Sequence, residues 1–430
     1  MDLVERCRTH VSPALHELLQ AAARTADAHG VRVYAVGGFV RDLLLGVRDE
    51  DLDLTVEGDG VAFARQLAAE TGNICKGPSA FGTAVVITQD GHKIDVATAR
   101  RETYKHPAAL PTVEPGTVRD DLSRRDFSIN TLAFALNGPE AFSLIDEHGG
   151  RRDLTEGVIR VLHNRSFRDD PTRMFRAIRL EQRFGFVLHR HTLRLLGRAV
   201  DKGWLELLSG ARLWRELRFM LVGESPVACL RRLEELGILS HIDADLGLSP
   251  DRLALLTRVA EARAELAETH ADVLGQAWPV YLAGLFHGLG ENILRRAGAR
   301  LALAPRTIQE LVDGLSAVEG AGRRLCTTDN RRPSEVVAAL RALPLEMLPL
   351  LLARCPGREV HQYVQRYLTS WRYIRPDLTG DDLKRLGVPQ GPQIGRLLAR
   401  VLAAKLDAEA GSREAEEALV RSALVQIPGS

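Results

Sequence analysis

No stretch of this 430-residue sequence holds the roughly 18 to 20 consecutive apolar residues that a membrane-spanning helix needs. The opening MDLVERCRTH carries acids and has no apolar core, so it does not read as a secretory signal. The cytoplasm is therefore the expected location, and no membrane partner is expected. Cysteine is scarce. The five residues Cys7, Cys75, Cys229, Cys326 and Cys355 are scattered and never closer than 29 positions. No zinc pattern or disulfide framework can be read from that spacing, and buried free thiols are expected. Both common phosphate-loop signatures, GxxxxGK and GxGxxG, are also missing. Gly58 and Gly60 follow the apolar run LDLTV, but Phe63 stands where the third glycine of a dinucleotide fingerprint belongs.

Apolar residues make up 45% and charged residues 26% of the chain, an ordinary globular balance, and the length predicts two to four domains. Net charge is only +1, yet it is unevenly spread. Residues 151–200 hold twelve arginines, no lysine and five acids, a local charge of +7, so the other 380 residues sum to −6. A stripe this basic in a neutral chain is an electrostatic footprint for phosphates.

Strand and helix signals alternate up to about residue 137. A helix over residues 11–30 ends at Gly30, VRVYAV reads as a strand, and GGFVRDLLLG reads as a turn into a short helix. LDLTV is a second strand, VAFARQLAAETG a helix stopped by Gly72, and TAVVIT with HKIDVATA a hairpin. Residues 100–121, with Pro107, Pro111 and Pro115 and no hydrophobic period, are expected to be a mobile loop of about twenty residues. After residue 150 strand signals disappear and spacings of three and four take over. The sequence thus predicts a small α+β head followed by helical domains.

Within this frame a few residue groups suggest chemistry. Asp51 and Asp53 are two apart in an extended run, so both carboxylates project from one face of a sheet edge. Carboxylates held close repel unless a cation lies between them, and hard oxygen ligands with open water positions suit Mg²⁺. Asp95, in the strand HKIDVATA, can bring a third carboxylate alongside. Gly37 and Gly38 expose bare backbone N–H groups at a helix start, with Arg41 one turn further on. In RRDFSINTLAFAL, Arg124, Arg125 and Asp126 precede an expected helix capped by Ser128 or Asn130. In RSFRDDPTRMFRAIRLEQRFGF, Asp170 reads as an N-cap and Pro171 as the first helical residue, followed by Arg173, Arg176, Arg179 and Arg183 on one side. An acceptor at Asp170 and a planar donor fork at Arg173 are the pair needed to read a base edge, and the deeper arginines would meet phosphates.

Taken in order, VGGFVRDLLLG…DLDL, RRDFSIN, LIDEHGGRRDL and DDPTRMFRAIR resemble the class II tRNA nucleotidyltransferase and bacterial poly(A) polymerase family. The match is dense from about residue 33 to 186, and TGDDLKRLGVPQGPQIGRLLARVL resembles the family's tail. The resemblance implies a polymerase-β-like head with a mixed sheet over residues 1–137. A helical neck (138–205), body (206–325) and tail (326–430) would follow and grip the acceptor end of tRNA. It implies Mg²⁺ on Asp51 and Asp53, with Asp95 as a further catalytic carboxylate. It also implies nucleotide contacts from Gly38, Arg41 and Arg125, beside which Gly37 and Asp126 are further candidates, and selection of ATP and CTP by Asp170 and Arg173 with Arg176 and Arg179 in support. The expected activity is template-independent addition of the 3′-terminal CCA, or of its last A alone, by a monomer or weak dimer. Poly(A) polymerase, a CC-adding enzyme and an inactive RNA-binding module are the alternatives. Two departures stand out. The family's usual Glu-Asp is Asp169-Asp170 here, and YLAGLFHGLGE has Gly288 after His287 where a phosphohydrolase motif has Asp, so no metal is expected there. The loop RRETYKHPAALPTVEPGTVRDD resembles that of relatives adding only the terminal A.

Overall fold

In a computed structural model of the chain the described residues are 3–47, 51–78, 82–326 and 331–425. They form two compact units, residues 1–216 with 235–241 and residues 217–234 with 242–430. No single helix among the described residues is long and apolar enough to cross a membrane.

The first unit opens with α1 (Leu3–His10) and α2 (Pro13–Ala28). Ser12 caps α2 by accepting from the Leu15 N–H, and Pro13 sits where a missing N–H costs nothing. There follow β1 (Arg32–Val36), α3 (Gly38–Leu45), β2 (Leu52–Glu57), α4 (Gly60–Thr71), β3 (Ile74–Lys76), β4 (Thr83–Ile87) and β5 (Lys93–Thr98). Next come β6 (Arg100–Thr103), β7 (Thr112–Pro115), α5 (Val118–Ser123), β8 (Ala133–Ala135) and β9 (Leu144–Ile145). The main sheet has seven strands in the order β3-β4-β5-β2-β1-β8-β9. Only the central β2–β5 pair is parallel; the rest are antiparallel, which makes the sheet mixed as expected. Leu52, Leu54 and Val56 of β2 are 0–1% exposed, so the alternation of the strand turns Asp53 toward the opposite face.

The unit closes with α6 (Gly150–Glu156), β10 (Val158–Ile159), α7 (Ser166–Asp169), α8 (Arg173–Phe184), β11 (Val187–Leu188), α9 (Arg190–Asp201) and the start of α10 (Gly210–Val222). Three local expectations are corrected here. Residues 100–121 are not structureless: β6 and β7 pair as an antiparallel ribbon and α5 follows, because exposed Thr, Val and Glu alternate there without a core to reveal them as strand. RRDFSIN ends in one 3-10 turn (Ser128–Asn130) and strand β8 follows, not a helix. Strands also persist beyond residue 150, since β10 and β11 form a two-residue parallel pair too short to show a period.

The second unit is helical, with α11 (Pro226–Glu235), α12 (Pro250–His270), α13 (Trp278–Phe286), α14 (Glu291–Arg300), α15 (Pro305–Leu325), α16 (Pro333–Leu340) and α17 (Leu348–Arg354). Four more helices reach Val425, and Leu383, Val388, Val401 and Val420 at 0–3% exposure anchor their own core. Cys7 and Cys229 are buried free thiols as expected and Cys75 is a partly exposed one, but Cys326 and Cys355 pair as a disulfide with Cα atoms 5.5 Å apart. Folding, not sequence spacing, brings those two together.

Candidate active site

The acidic edge forms as the strand period requires. Asp53 of β2 stands in parallel register with Asp95 of β5, and Asp51 lies just before the first residue of β2, two positions ahead of Asp53. Asp51 and Asp95 are exposed and Asp53 is half-buried, so the carboxylates face solvent from a rigid sheet. No group of three or more His, Cys, Asp or Glu is gathered tightly enough to form a complete metal site among the described residues. Two or three solvent-facing carboxylates nevertheless fit Mg²⁺, which takes its other ligands from water and substrate phosphates.

Beside this edge, Gly37 caps α3 with φ +69°, a backbone angle that disfavours a side chain, and a Cβ here would run into the Arg125 guanidinium. Arg125 is held over the turn by Asp121, with Nη2–Oδ2 3.0 Å. A Cβ on Gly38 would lie 3.6 Å from Arg41 Nη2. The expected nucleotide contacts Gly37, Gly38, Arg41 and Arg125 are therefore neighbours.

Arg41 itself is only 5% exposed. It pairs with Asp42 at 2.8 Å, donates Nη1 to Asn130 Oδ1 at 2.6 Å, and stacks 4.8 Å from the Phe184 ring centroid. Asn130 in turn donates to Asp126 Oδ1 at 2.9 Å, and Arg176 donates to Asp126 Oδ2 at 2.7 Å. Burial pushes the Asp126 carboxyl upward, but the charges of Arg176 and Arg173 and the Asn130 amide outweigh it and hold the group well below the usual carboxylate range. Arg41, Asn130, Asp126 and Arg176 thus form one strut from α3 to α8, buried at the first three and partly exposed at Arg176.

The pair expected to read the base lies at the start of α8. Asp170 is not its N-cap: α7 ends at Asp169, Asp170 is extended, and α8 starts at Arg173 after Thr172. The Asp170 side chain makes a tight turn instead. Its Oδ1 accepts from Thr172 N (3.0 Å), Thr172 Oγ1 (2.6 Å) and Arg212 Nη2 (2.8 Å). Oδ2 has no hydrogen-bond partner among the described residues, so one carboxylate oxygen is locked and the other is presented. Arg173, 5% exposed, donates Nη1 to Ser166 Oγ (2.8 Å) and Nη2 to the Arg124 carbonyl (2.7 Å), which fixes the plane of its guanidinium.

The ribbon closes against this corner. Its tip residue Ala108 donates its N–H to the Arg168 carbonyl (3.0 Å) and accepts from Arg212 Nη1 (2.9 Å). Arg212 therefore bridges the ribbon tip and Asp170. Tyr104 of the ribbon donates to Glu102 Oε2 at 2.8 Å, and burial and Glu102 push its phenol far up. The charges of Arg173 and Asp170 act on the same phenol, so it lies near the pair. Sequence reasoning missed Arg212, Thr172, Ser166, Asn130 and Asp121. Thr172, two residues after an Asp, carried a local turn signal; Arg212, 42 residues from Asp170, carried none.

The arginine stripe divides by position. On α8, Arg173 is buried, Arg176 pairs with Asp126, Arg179 lies 3.7 Å from Glu216 and Arg183 lies 3.6 Å from Asp42. The helix row expected to meet phosphates is thus largely neutralised by the protein's own acids. On α9, Arg190, Arg194 and Arg198 recur every fourth residue on the exposed face, opposite buried Thr192, Leu196 and Ala199. Arg151, Arg152 and Arg165 are also exposed.

Comparison with known proteins places these features in context. Residues 33–160 match the family model described as Poly A polymerase head domain. The chain is 41% identical over 419 residues to an A-adding tRNA nucleotidyltransferase of Geobacter sulfurreducens, covering 96% of this chain and 48% of that protein. A second A-adding tRNA nucleotidyltransferase, from Halalkalibacterium halodurans, is 32% identical, with 87% of this chain and 85% of that protein covered. The solved Thermotoga maritima CCA-adding enzyme complexed with tRNA is 30% identical, with a TM-score of 0.77 and 99% of each chain covered. The chain spans about half the length of the first of these relatives and most of the other two.

Proposed function

The chain belongs to the tRNA nucleotidyltransferase family, and within it we propose that this member adds the terminal A to tRNA already ending in CC. The observation that carries the proposal is the docked ribbon. Arg212 ties its tip to Asp170, at 2.9 Å and 2.8 Å, so the acceptor that reads the base is held in one position. An enzyme adding both C and A must reshape this corner between nucleotides; a latched corner suits one base. Both curated relatives described above carry the name A-adding.

In the reaction the 3′ hydroxyl of tRNA attacks the α-phosphorus of ATP, and pyrophosphate leaves. Mg²⁺ held by Asp51 and Asp53 would screen the triphosphate and favour the attacking alkoxide when bound. Asp95, in register with Asp53, adds negative charge to the same edge and orients the pair. Arg125, fixed by Asp121 above the Gly37 turn, is placed to take a phosphate oxygen. The free Oδ2 of Asp170 accepts from the exocyclic amine of adenine, while a carbonyl at that place, as in GTP or UTP, would face an acceptor. Arg41, Asp126 and Arg176 brace the walls from within.

The test supplies three tRNAs ending in the discriminator base, in C and in CC, each with CTP or ATP. Incorporation confined to ATP on the CC end is expected. CTP incorporation on either shorter end would replace the proposal with full CCA or CC addition, and repeated A addition to unstructured RNA would replace it with poly(A) synthesis.

A further inference from the structure

The second unit contains a cavity of about 360 Å³ that plays no part in the chemistry above. It lies where the N-terminus of α12 meets the C-terminal ends of α13 and α17, and its lining includes Ser249, Asp251, Arg252, Arg258, His287 and Arg354.

The three arginines are anchored by one edge each or not at all. Arg252 Nε donates to the His287 carbonyl (3.3 Å) and Nη1 to the Gly247 carbonyl, while Arg258 Nε donates to the Ala353 carbonyl (2.8 Å). A guanidinium has five N–H donors, so both keep several unused. Arg354 Nη1 is buried with no hydrogen-bond partner, and so is His287 Nε2. None of the three arginines forms an ion pair among the described residues. The acids within electrostatic reach are Asp251 at the lining, Glu234 beside Arg252 and Glu319 beside His287. Burial and the charges of Arg354 and Arg252 push the His287 imidazole down, so a neutral ring is expected there.

Arg258 is exposed and Arg252 partly so, but the two buried donors without a partner, Arg354 Nη1 and His287 Nε2, are costly at about 1–3 kcal/mol each, and their place side by side in a concave site calls for an acceptor that reaches both. Three guanidinium forks, an imidazole and the capped start of a 21-residue helix suit a group with several anionic oxygens. We infer that this cavity is a phosphate-binding site, with Arg252, Arg258 and Arg354 as the cationic wall and His287 as a neutral donor. The phosphate can come from the RNA backbone or from a free anion in solution. The RNA source rests on the proposed function; the free source does not.

The full chain is titrated with inorganic phosphate at constant ionic strength, with chloride as the control, and its thermal midpoint is followed. Wild type should gain about 2–4 °C at 20 mM phosphate. Ser249→Asp keeps a good helix cap but places a carboxylate at the cavity mouth, and Arg354→Gln removes the orphan charge. Both should lose the gain. A wild type indifferent to phosphate overturns the inference, and so does stabilisation that persists in Ser249→Asp, because the phosphate then sits elsewhere. The tRNA arm separates the sources. With an RNA phosphodiester in the cavity, Ser249→Asp weakens tRNA binding several-fold and lowers the salt slope by about one. With a free anion, tRNA affinity is unchanged while the phosphate response is lost.

Discussion

Asp170→Asn separates base reading from local structure. The amide keeps an oxygen for Thr172 N and Oγ1, so the turn at 3.0 Å and 2.6 Å survives. The Arg212 contact loses its charge, and since the two side chains are 23% and 24% exposed, the stability cost should be about 0.5–1 kcal/mol. At Oδ2 the change is larger in kind, because an acceptor becomes an NH₂ donor facing the amine of adenine. A mismatched base contact costs roughly 1–3 kcal/mol, which is about 5- to 150-fold in kcat/KM for ATP. GTP, which presents a carbonyl at that place, should lose less or gain. The assay is single-nucleotide extension of tRNA ending in CC, with ATP and GTP compared at equal concentration, alongside a melting curve. A folded variant, within a few degrees of wild type, that keeps its ATP to GTP ratio would refute the base-reading role of Asp170.

Asp51→Ala or Asp53→Ala should abolish transfer while leaving tRNA affinity within a few-fold by filter binding, because in the proposed mechanism the carboxylates serve the metal and not the RNA; near-normal incorporation would remove Asp51 and Asp53 from the chemistry. Changing Arg190, Arg194 and Arg198 together to Gln should lower the slope of log affinity against log salt by about 2, at about 0.7 per lost phosphate contact; an unchanged slope would mark the α9 row as a solvated face. Asp126→Ala leaves the strut without its centre and takes the partner of a partly exposed Arg176, so unfolding in urea should show a loss of about 1–3 kcal/mol. The folded Asp126 carboxyl titrates below its unfolded value, so its contribution is fully present above about pH 4 and is lost as pH falls through the lower folded value. The variant's stability should therefore fall less steeply with acid than that of wild type, and parallel acid curves would count against the pairing.

Much of this protein is written in local pattern. The alternation in LDLTV turns Asp53 away from buried Leu52 and Leu54 whatever surrounds it, because period two is a property of any strand. Gly37 and Gly38 between a strand and a helix mark a turn that tolerates few side chains, and the four ordered motifs point to the family. Spacings of three and four mark the helices after residue 150, since each must bury one side. Weak patterns fail where tertiary pairing replaces burial as the cause of structure. Ribbon β6–β7 has exposed residues on both strands and no hydrophobic period to betray it. Asp170 looked like a helix cap because Asp before Pro usually is one; the chain spends its carboxylate on a turn instead.

Side-chain partnership was decided by the fold alone. Arg173, Arg176, Arg179 and Arg183 form an apparent phosphate row in one dimension, yet three of them face acids 37 to 141 positions away, at Glu216, Asp126 and Asp42. Charge composition cannot reveal this, because Coulomb attraction depends on distance in space and not along the chain. The same holds for Arg212 between Ala108 and Asp170, 104 and 42 residues away, and for the joining of Cys326 to Cys355. The sequence by itself determined which residue types stand at the acidic edge and how the backbone would present them. Only the tertiary structure decided which cations are neutralised inside the protein and which remain for phosphates, since each depends on groups that meet only after the chain has folded.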